Sequence, residues 1–180
     1  VCDTTYLMTE NGWNYLATVM DLFSRRIVGW EASERNDSNL VRKALYKAAQ
    51  TRRGFLNEDL ILHSDRGSTY ASKKHRKLIK ELGIKQSMSA LGNCYDNAAM
   101  ESFYGRYKTS SVGKSVFADL EALRANAFEY IECYYNTYRK HSSLGYKTPM
   151  QIEEKKIPLG GRKLGHAPLH SRQATSNNQK

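Results

Sequence analysis

The chain has 180 residues, enough for one substantial hydrophobic core, and one folded domain followed by a tail is the expected organisation. Its 28 Lys and Arg against 18 Asp and Glu give a net charge of +10, which is typical of chains that meet a polyanion. Charge alone does not say which polyanion this is.

The cysteines are Cys2, Cys94 and Cys133, which are widely spaced and form no Cys-x-x-Cys pair. This pattern argues against a disulfide framework and against a zinc finger. No apolar run predicts a membrane span, and no signal peptide is recognisable. We therefore expect a cytoplasmic protein with no membrane partner. Because the chain starts with Val1 rather than Met, we also expect it to be part of a longer protein.

Three strands are predicted at the start of the chain. Residues 4–8 are rich in strand-favouring types and lead into an Asn-Gly pair at positions 11 and 12, which is a strong hairpin signal. Residues 13–20 then form the returning strand. A turn near 24–26 leads into a third strand over 27–32, and this spacing predicts an antiparallel meander.

Helices and strands alternate in the middle of the chain, where apolar residues first take helical spacing and then form short runs. The predicted elements are a helix between the Asp37-Ser38 cap and Gly54, a strand over 60–63, a helix between Ser72 and Gly83, and a strand over 84–89. Asp65 therefore comes directly after the carboxyl end of a strand.

Helical patterns dominate the last third of the chain. Asp96 can cap a helix that carries Glu101. A long helix over 120–138 has an apolar stripe, and its aromatic residues Tyr134, Tyr135 and Tyr138 fit core packing better than the alternative of stacking on bases. We place the domain boundary between a core over 1–153 and a basic, flexible tail over 154–180, which has no apolar periodicity.

This order of elements predicts an α/β fold with a mixed five-stranded sheet flanked by helices. If the strand of Asp3 and the strand before Asp65 are neighbours, the two carboxylates meet at one edge, and the next helix brings in Glu101. On so basic a chain, three clustered carboxylates indicate bound cations. Oxygen ligands suit Mg²⁺, and two such ions stabilise both oxygens of a phosphoryl displacement. Asp21 competes with Asp3 but fits a turn or ion-pair residue better.

Several polar residues are candidate DNA contacts. Lys108 follows Glu101 by seven residues, so the two face the same way, and Asn97 lies on that face four residues before Glu101. Lys108 would contact a phosphate or be a solvated surface lysine. Arg139 and His141 would touch DNA or merely cap and pair locally.

His63 lies two residues before Asp65 and would point to the same side of the strand. It would tune a metal site there or be a hydrogen-bonded structural histidine.

These motifs together carry a family resemblance. The matching segments are Asp3-Thr4-Thr5-Tyr6, Asp21-Leu22-Phe23-Ser24-Arg25, Val28-Gly29-Trp30, His63-Ser64-Asp65-Arg66-Gly67-Ser68, Gly92-Asn93-Cys94-Tyr95-Asp96-Asn97-Ala98, Glu101-Ser102-Phe103, Tyr134-Tyr135-Asn136 and Leu144-Gly145-Tyr146. Over roughly residues 3–153 the chain resembles the integrase-type transposases of bacterial insertion sequences.

The resemblance implies a ribonuclease H-like catalytic core, shared with retroviral integrases, over residues 1–153. In such a core Asp3, Asp65 and Glu101 would be the catalytic residues and would bind two Mg²⁺ ions, with Mn²⁺ as a substitute, while Lys108 would contact DNA. The implied reaction frees the 3′ hydroxyl at the ends of a mobile element and drives it into another phosphodiester. The implied partners are double-stranded DNA, at element ends and target, and further copies of the chain on that DNA. The implied location is the bacterial cytoplasm, at the nucleoid when bound to DNA.

Two other functions stay open at this point. The first is a non-catalytic DNA-binding module derived from a transposase, and the second is a ribonuclease H-like nuclease. The presence of all three carboxylates argues against the first, and the thirty-five residues between Asp65 and Glu101 argue against the second. Transposases of this type usually carry an upstream helical segment that recognises the element ends, so we do not expect this chain alone to provide that specificity.

Overall fold

Strands and helices alternate along the chain in the computed structural model, which describes residues 1–54, 56–88, 98–113 and 116–156. The strands are β1 (Cys2–Thr9), β2 (Gly12–Met20), β3 (Ile27–Ser33), β4 (Ile61–Ser64) and β5 (Lys85–Met88). The helices are α1 (Ser38–Thr51), α2 (Lys73–Glu81), α3 (Ala98–Tyr107), α4 (Leu120–Phe128) and α5 (Pro149–Lys156). Turns of π-helix extend α3 over Lys108–Val112 and α4 over Glu129–Tyr135, and a short 3₁₀ helix lies at Ser142–Leu144.

The predicted antiparallel meander is confirmed. β1 pairs with β2 from Cys2 opposite Val19 to Thr9 opposite Gly12, and β2 pairs with β3. Gly12 has φ +113°, a backbone conformation that residues with a side chain rarely adopt. The hairpin signal in the sequence therefore has a direct conformational cause.

The prediction of one five-stranded sheet is confirmed only in part. In the described ranges the strands form a three-stranded group, β1-β2-β3, and a two-stranded parallel group, β4-β5. One contact between them is made by a side chain, because the Cys2 thiol donates to the backbone oxygen of His63 at 3.5 Å. β4 has four residues, so it offers β1 little backbone to pair with. The two groups are neighbours without forming one continuous ladder.

Hydrophobic residues cover both faces of the three-stranded group. On one face, Leu16 packs with Phe103 and Tyr107 of α3 and with Ile131. On the other, α1 lies so close to β3 that a Cβ at Gly29 would be 2.4 Å from the backbone oxygen of Ala44. Glycine is therefore required at this crossing, and the fold is a layer of strands between helices.

Side-chain caps fix the predicted starts of two helices. The Asp37 carboxylate accepts backbone N–H bonds at the start of α1, and the Ser72 hydroxyl accepts one from His75 at the start of α2. The predicted caps at Asp37 and Ser72 are confirmed. The predicted cap at Asp96 and the predicted DNA contact at Asn97 lie outside the described residues.

The helix predicted over 120–138 changes its winding part-way. It is α-helical to Phe128 and π-helical to Tyr135, where the Asn136 amide donates to the Ile131 oxygen five residues back at 3.0 Å. This winding lets the buried Asn136 side chain bond both backbone groups of Ile27 at 3.0 Å, which pins β3 to the helix.

The predicted core packing of the aromatic residues is right for Tyr135 and wrong for Tyr134 and Tyr138. Tyr135 is buried, whereas the other two side chains are exposed, because only one stripe of the helix faces the strands. The C-terminal boundary stays a prediction. Helix α5 runs three residues past the expected boundary at 153, and residues 157–180 lie outside the described residues.

Candidate metal and nucleic-acid site

Asp3 occupies the amino end of β1, opposite Thr18 of β2. Its side chain is half-buried, and its Oδ1 accepts the backbone N–H of Thr4 at 2.7 Å. The rival candidate, Asp21, is engaged elsewhere, since it accepts N–H bonds in the turn at Phe23 and Ser24 and pairs with Arg52 at 2.9 Å. The interpretation of Asp21 as a turn and ion-pair residue is therefore confirmed.

Asp65 follows the carboxyl end of β4 and is exposed. Its Oδ1 accepts the backbone N–H of Gly67 at 2.8 Å, so the loop folds back against the carboxylate. A Cβ at position 67 would lie 2.9 Å from this oxygen, closer than side-chain atoms normally approach. Gly67 thus leaves room for a carboxylate whose position the loop backbone sets.

Asp3 and Asp65 lie at the same end of the strand layer, around the buried Cys2 thiol. Burial raises the pKa of Cys2 to about 12, and the negative charges of Asp3 and Asp65 add to the rise. The same thiol contacts His63 in β4, which places β1 and β4 side by side here. The expectation that both carboxylates meet at one edge agrees with this arrangement.

Glu101 lies in the first turn of α3, with its side chain exposed. One turn further, the buried Tyr104 hydroxyl donates to the backbone oxygen of Asp3 at 2.7 Å and lies 2.8 Å from the Thr18 hydroxyl. Burial raises the pKa of Tyr104 well above its usual range, and the Asp3 charge adds to this, so the phenol stays a neutral donor. The helix that carries Glu101 is thereby fixed against the strand that carries Asp3.

The three carboxylates are not drawn into a closed cluster. Over 1–54, 56–88, 98–113 and 116–156, no three His, Cys, Asp or Glu side chains are grouped tightly enough to hold a metal ion. The donor set itself fits Mg²⁺ or Mn²⁺, which prefer carboxylate oxygens and complete their shells with water and substrate phosphate.

The three predicted DNA contacts within the described residues fall into two places. Lys108 follows α3, and its ammonium lies 4.6 Å from the centre of the Tyr6 ring. Arg139 and His141 lie together against Tyr135, with the rings of His141 and Tyr135 4.9 Å apart. Burial lowers the pKa of His141 to about 4, helped by Arg139 and two other arginines, so His141 is neutral at pH 7. It does not supply positive charge for a phosphate.

His63 is hydrogen-bonded within the fold, with Nδ1 3.1 Å from the Ser87 hydroxyl of β5. This contact agrees with the structural interpretation. Sequence reasoning missed two tyrosines near Asp3, Tyr104 and Tyr70. The Tyr70 hydroxyl lies 2.9 Å from the hydroxyl of Thr4, the residue after Asp3. The spacing of three residues from Glu101 could have indicated Tyr104, whereas no local pattern indicates Tyr70.

Comparison with known proteins identifies the family. A family model described as integrase core domain matches residues 1–94, and a second with the same description matches residues 82–149. The first match alone covers more than half of the chain. The chain belongs to the integrase core domain family. The family resemblance seen in the sequence is confirmed.

Curated relatives of this integrase core are transposases of insertion sequences. It is 43% identical over 155 residues to the transposase InsF for insertion sequence IS3A of Escherichia coli K12, covering 86% of this chain and 53% of the relative. It is 41% identical over 152 residues to the transposase for IS904 of Lactococcus lactis, covering 84% of this chain and 59% of the relative. The integrase core thus spans between half and three-fifths of these relatives' length.

Retroviral integrases are among the solved structures with a similar fold. The integrase core superposes on the simian T-cell lymphotropic virus intasome, solved in complex with the PP2A regulatory subunit B56 gamma, with a TM-score of 0.64 and 19% identity over 98% of this chain and 59% of that one. It also superposes on the HTLV-2 integrase catalytic core domain, solved in complex with magnesium, with a TM-score of 0.61. That match has 17% identity and covers 84% of this chain and 92% of the HTLV-2 chain. These matches establish the ribonuclease H-like fold of integrase catalytic cores.

No helix in the described ranges has the length and apolar character needed to cross a bilayer.

Proposed function

We propose that this chain is the catalytic core of a transposase that cuts and joins DNA strands, with divalent metal ions held by Asp3, Asp65 and Glu101. The observation that carries the proposal is their placement. Asp3 and Asp65 lie beside the same buried thiol, and the Tyr104 bond to Asp3 fixes the helix of Glu101 against that strand. The names of the curated relatives and the magnesium in an integrase core of the same fold support it.

The three carboxylates would hold two Mg²⁺ ions, with Mn²⁺ as a substitute. Bound in this way, the ions supply the Lewis acidity and charge neutralisation that phosphoryl transfer needs. The chain's own part is to fix the carboxylates: Thr4 N–H bonds Asp3, Gly67 N–H bonds Asp65, and Tyr104 fixes α3. Groups held in place before the reaction cost no reorganisation in the transition state.

Double-stranded DNA is the proposed substrate, at the element ends and at the target. Lys108 and Arg139 are the proposed phosphate contacts, on a chain with net charge +10. A Cβ at Gly105, between Glu101 and Lys108, would meet no atom within 4 Å, so packing does not demand glycine there and a DNA backbone has room to approach. Joining two element ends requires several copies, so we propose a homo-oligomer on DNA in the bacterial cytoplasm.

A branched DNA substrate tests the proposal without requiring recognition of element ends. This substrate has the structure of the product of strand transfer, with an element end already joined to a target strand. If the chain catalyses the reverse reaction, it separates the two and releases a labelled strand. We expect Mg²⁺-dependent release from the branched DNA and no cleavage of an RNA–DNA hybrid. DNA binding with no conversion in Mg²⁺ or Mn²⁺ would identify a non-catalytic module, and cleavage confined to the hybrid would identify a nuclease of the ribonuclease H type.

Tyr104→Phe should impair assembly of the proposed metal site more than it impairs folding. The substitution leaves the ring packed but removes the hydrogen bond to the Asp3 backbone, so α3 is less firmly held. We expect the free energy of unfolding to fall by about 1–2 kcal/mol. We expect the Mn²⁺ concentration needed for half-maximal thermal stabilisation and half-maximal strand release to rise roughly tenfold.

Tyr107→Phe is the matched control for this change. Tyr107 is fully buried on the same helix, but its hydroxyl donates to Asn126 at 2.9 Å, away from the carboxylates. It should lose a similar amount of stability and keep the metal dependence of the unmodified protein. If the Mn²⁺ concentration for half-maximal effect shifts equally in both variants, Tyr104 has a purely structural role.

A further inference from the structure

Two large aromatic side chains stand exposed on the β1–β2 hairpin. Tyr6 is 58% exposed and Trp13 is 52% exposed, and their rings meet edge to face with centroids 5.2 Å apart. Tyr6 is paired with Tyr15 and Trp13 with Met8, so the two rings are diagonal neighbours on one face of the hairpin. Such a pair contributes to hairpin stability, yet it leaves aromatic surface uncovered.

A positive charge completes this surface. The Lys108 ammonium, reaching over from the end of α3, lies 4.6 Å from the centre of the Tyr6 ring. A lysine held over a ring in this way keeps its charge close to whatever covers the aromatic pair. We call Tyr6, Trp13 and Lys108 the aromatic platform.

The platform is carried by the same strand and the same helical segment as two of the proposed metal ligands, Asp3 and Glu101. Tyr6 follows Asp3 by three residues, which corresponds to about 10 Å along a strand, and because side chains alternate its ring leaves β1 on the opposite face from the Asp3 carboxylate. Lys108 follows Glu101 by seven residues, which corresponds to roughly 10 Å along a helix. Lys108, whose ammonium lies over the Tyr6 ring, links the helix of Glu101 to the aromatic pair on that other face.

We propose that the aromatic platform binds unpaired bases at the end of a DNA strand, on the face of the hairpin opposite the Asp3 carboxylate. The inference rests on the proposed function, because it takes DNA as the ligand. Base faces stack on aromatic rings in a sequence-tolerant way, and a lysine beside the rings neutralises the phosphate next to the base. Inside an intact duplex the base faces already cover one another, so the platform selects DNA with a frayed or unpaired end.

Trp13 provides a direct spectroscopic signal. The chain has two tryptophans, and the other, Trp30, is held by a hydrogen bond of 2.9 Å to Glu132 on a different part of the sheet. We expect quenching of tryptophan fluorescence in metal-free buffer when the chain binds a duplex with three unpaired nucleotides at its end. A blunt duplex of the same sequence should cause much less quenching, and Trp13→Leu should remove the difference.

Affinity and its salt dependence separate stacking from charge. Tyr6→Leu and Trp13→Leu should weaken binding of the DNA with an unpaired end roughly tenfold, leaving blunt-duplex affinity and the salt slope unchanged. Lys108→Ala should lower the salt slope by about one unit on both DNAs. Tyr46→Leu is the matched control, since Tyr46 is an equally exposed tyrosine (55%) on α1, and it should bind both DNAs normally.

The outcomes distinguish this inference from the function on which it rests. If the folded Tyr6→Leu and Trp13→Leu variants bind both DNAs as tightly as the unmodified chain, the aromatic pair only stabilises the hairpin and the inference is wrong. If the unmodified chain binds neither DNA, the proposed function fails as well. Thermal unfolding of each variant establishes that it is folded, and Trp13→Phe, which keeps a ring, should bind nearly normally.

Discussion

Asp65→Asn and Glu101→Gln will each lower the rate of strand release from branched DNA by at least about 10³-fold. Each substitution keeps the shape of the side chain but removes the negative charge that a hard divalent cation requires. Neither residue is buried, so the fold should tolerate both changes. In metal-free buffer the DNA affinity should be kept or slightly raised, because a negative charge has been removed beside a polyanion.

A readout other than activity makes this expectation sharper. Mn²⁺ should raise the unfolding temperature of the unmodified chain, since an ion that binds only the folded state stabilises it, and it should fail to do so in either variant. Asp59→Asn is the matched control, because Asp59 is an exposed aspartate whose recorded ion pair is a loose 3.8 Å contact with Lys85. Strand release that survives Asp65→Asn or Glu101→Gln would mean that the ligands are wrongly assigned.

The local elements of this fold could be predicted because each has a local cause. The hairpin has a glycine with positive φ at position 12, the short Asp37 side chain caps α1, and β4 ends in a loop at Asp65. Each of these features depends on a few neighbouring residues. The spacing of the three carboxylates was therefore readable together with the elements that carry them.

Features made by residues far apart in the chain were not predictable in this way. The Tyr104 bond to Asp3 joins residues 101 positions apart, and the Asn136 bonds to Ile27 join residues 109 apart. The π-helical winding after Phe128 positions Asn136 for its bonds to Ile27, so no local sequence pattern predicts this winding. The contact that joins the two strand groups, between the Cys2 thiol and the His63 backbone, likewise links residues 61 positions apart.

A further non-local network fixes α5 to the core. The Glu153 carboxylate of α5 accepts hydrogen bonds from Arg26 at 2.7 Å, from Ser24 at 2.8 Å and from both terminal nitrogens of Arg52. The Glu153 and Arg52 side chains are only 11% and 17% exposed. Burial alone would raise the pKa of Glu153, but the hydrogen bonds from Arg52, Arg26 and Ser24 outweigh it and lower the pKa to about 2.

Glu153→Gln should therefore lower the free energy of unfolding by roughly 3 kcal/mol. The amide has one neutral acceptor oxygen in place of two charged ones, so Arg26 loses its carboxylate partner while Arg52 keeps its pair with Asp21. For a domain of this size the unfolding temperature should drop by about 6–12 °C. Denaturant and thermal unfolding at pH 7 measure both, and Glu154→Gln, on an exposed neighbour in the same helix, should change stability by less than about 0.5 kcal/mol.

The pH dependence of this difference gives the final test of the network. Because the folded-state pKa of Glu153 lies below its usual value of 4.5, its contribution is fully present above pH 4.5 and is lost as the pH falls towards 2. The stability gap between the unmodified chain and Glu153→Gln should therefore be constant from pH 7 to 5 and shrink below pH 4.5. A gap that stays constant down to pH 2 would show that Glu153 stabilises α5 by packing, without its charge.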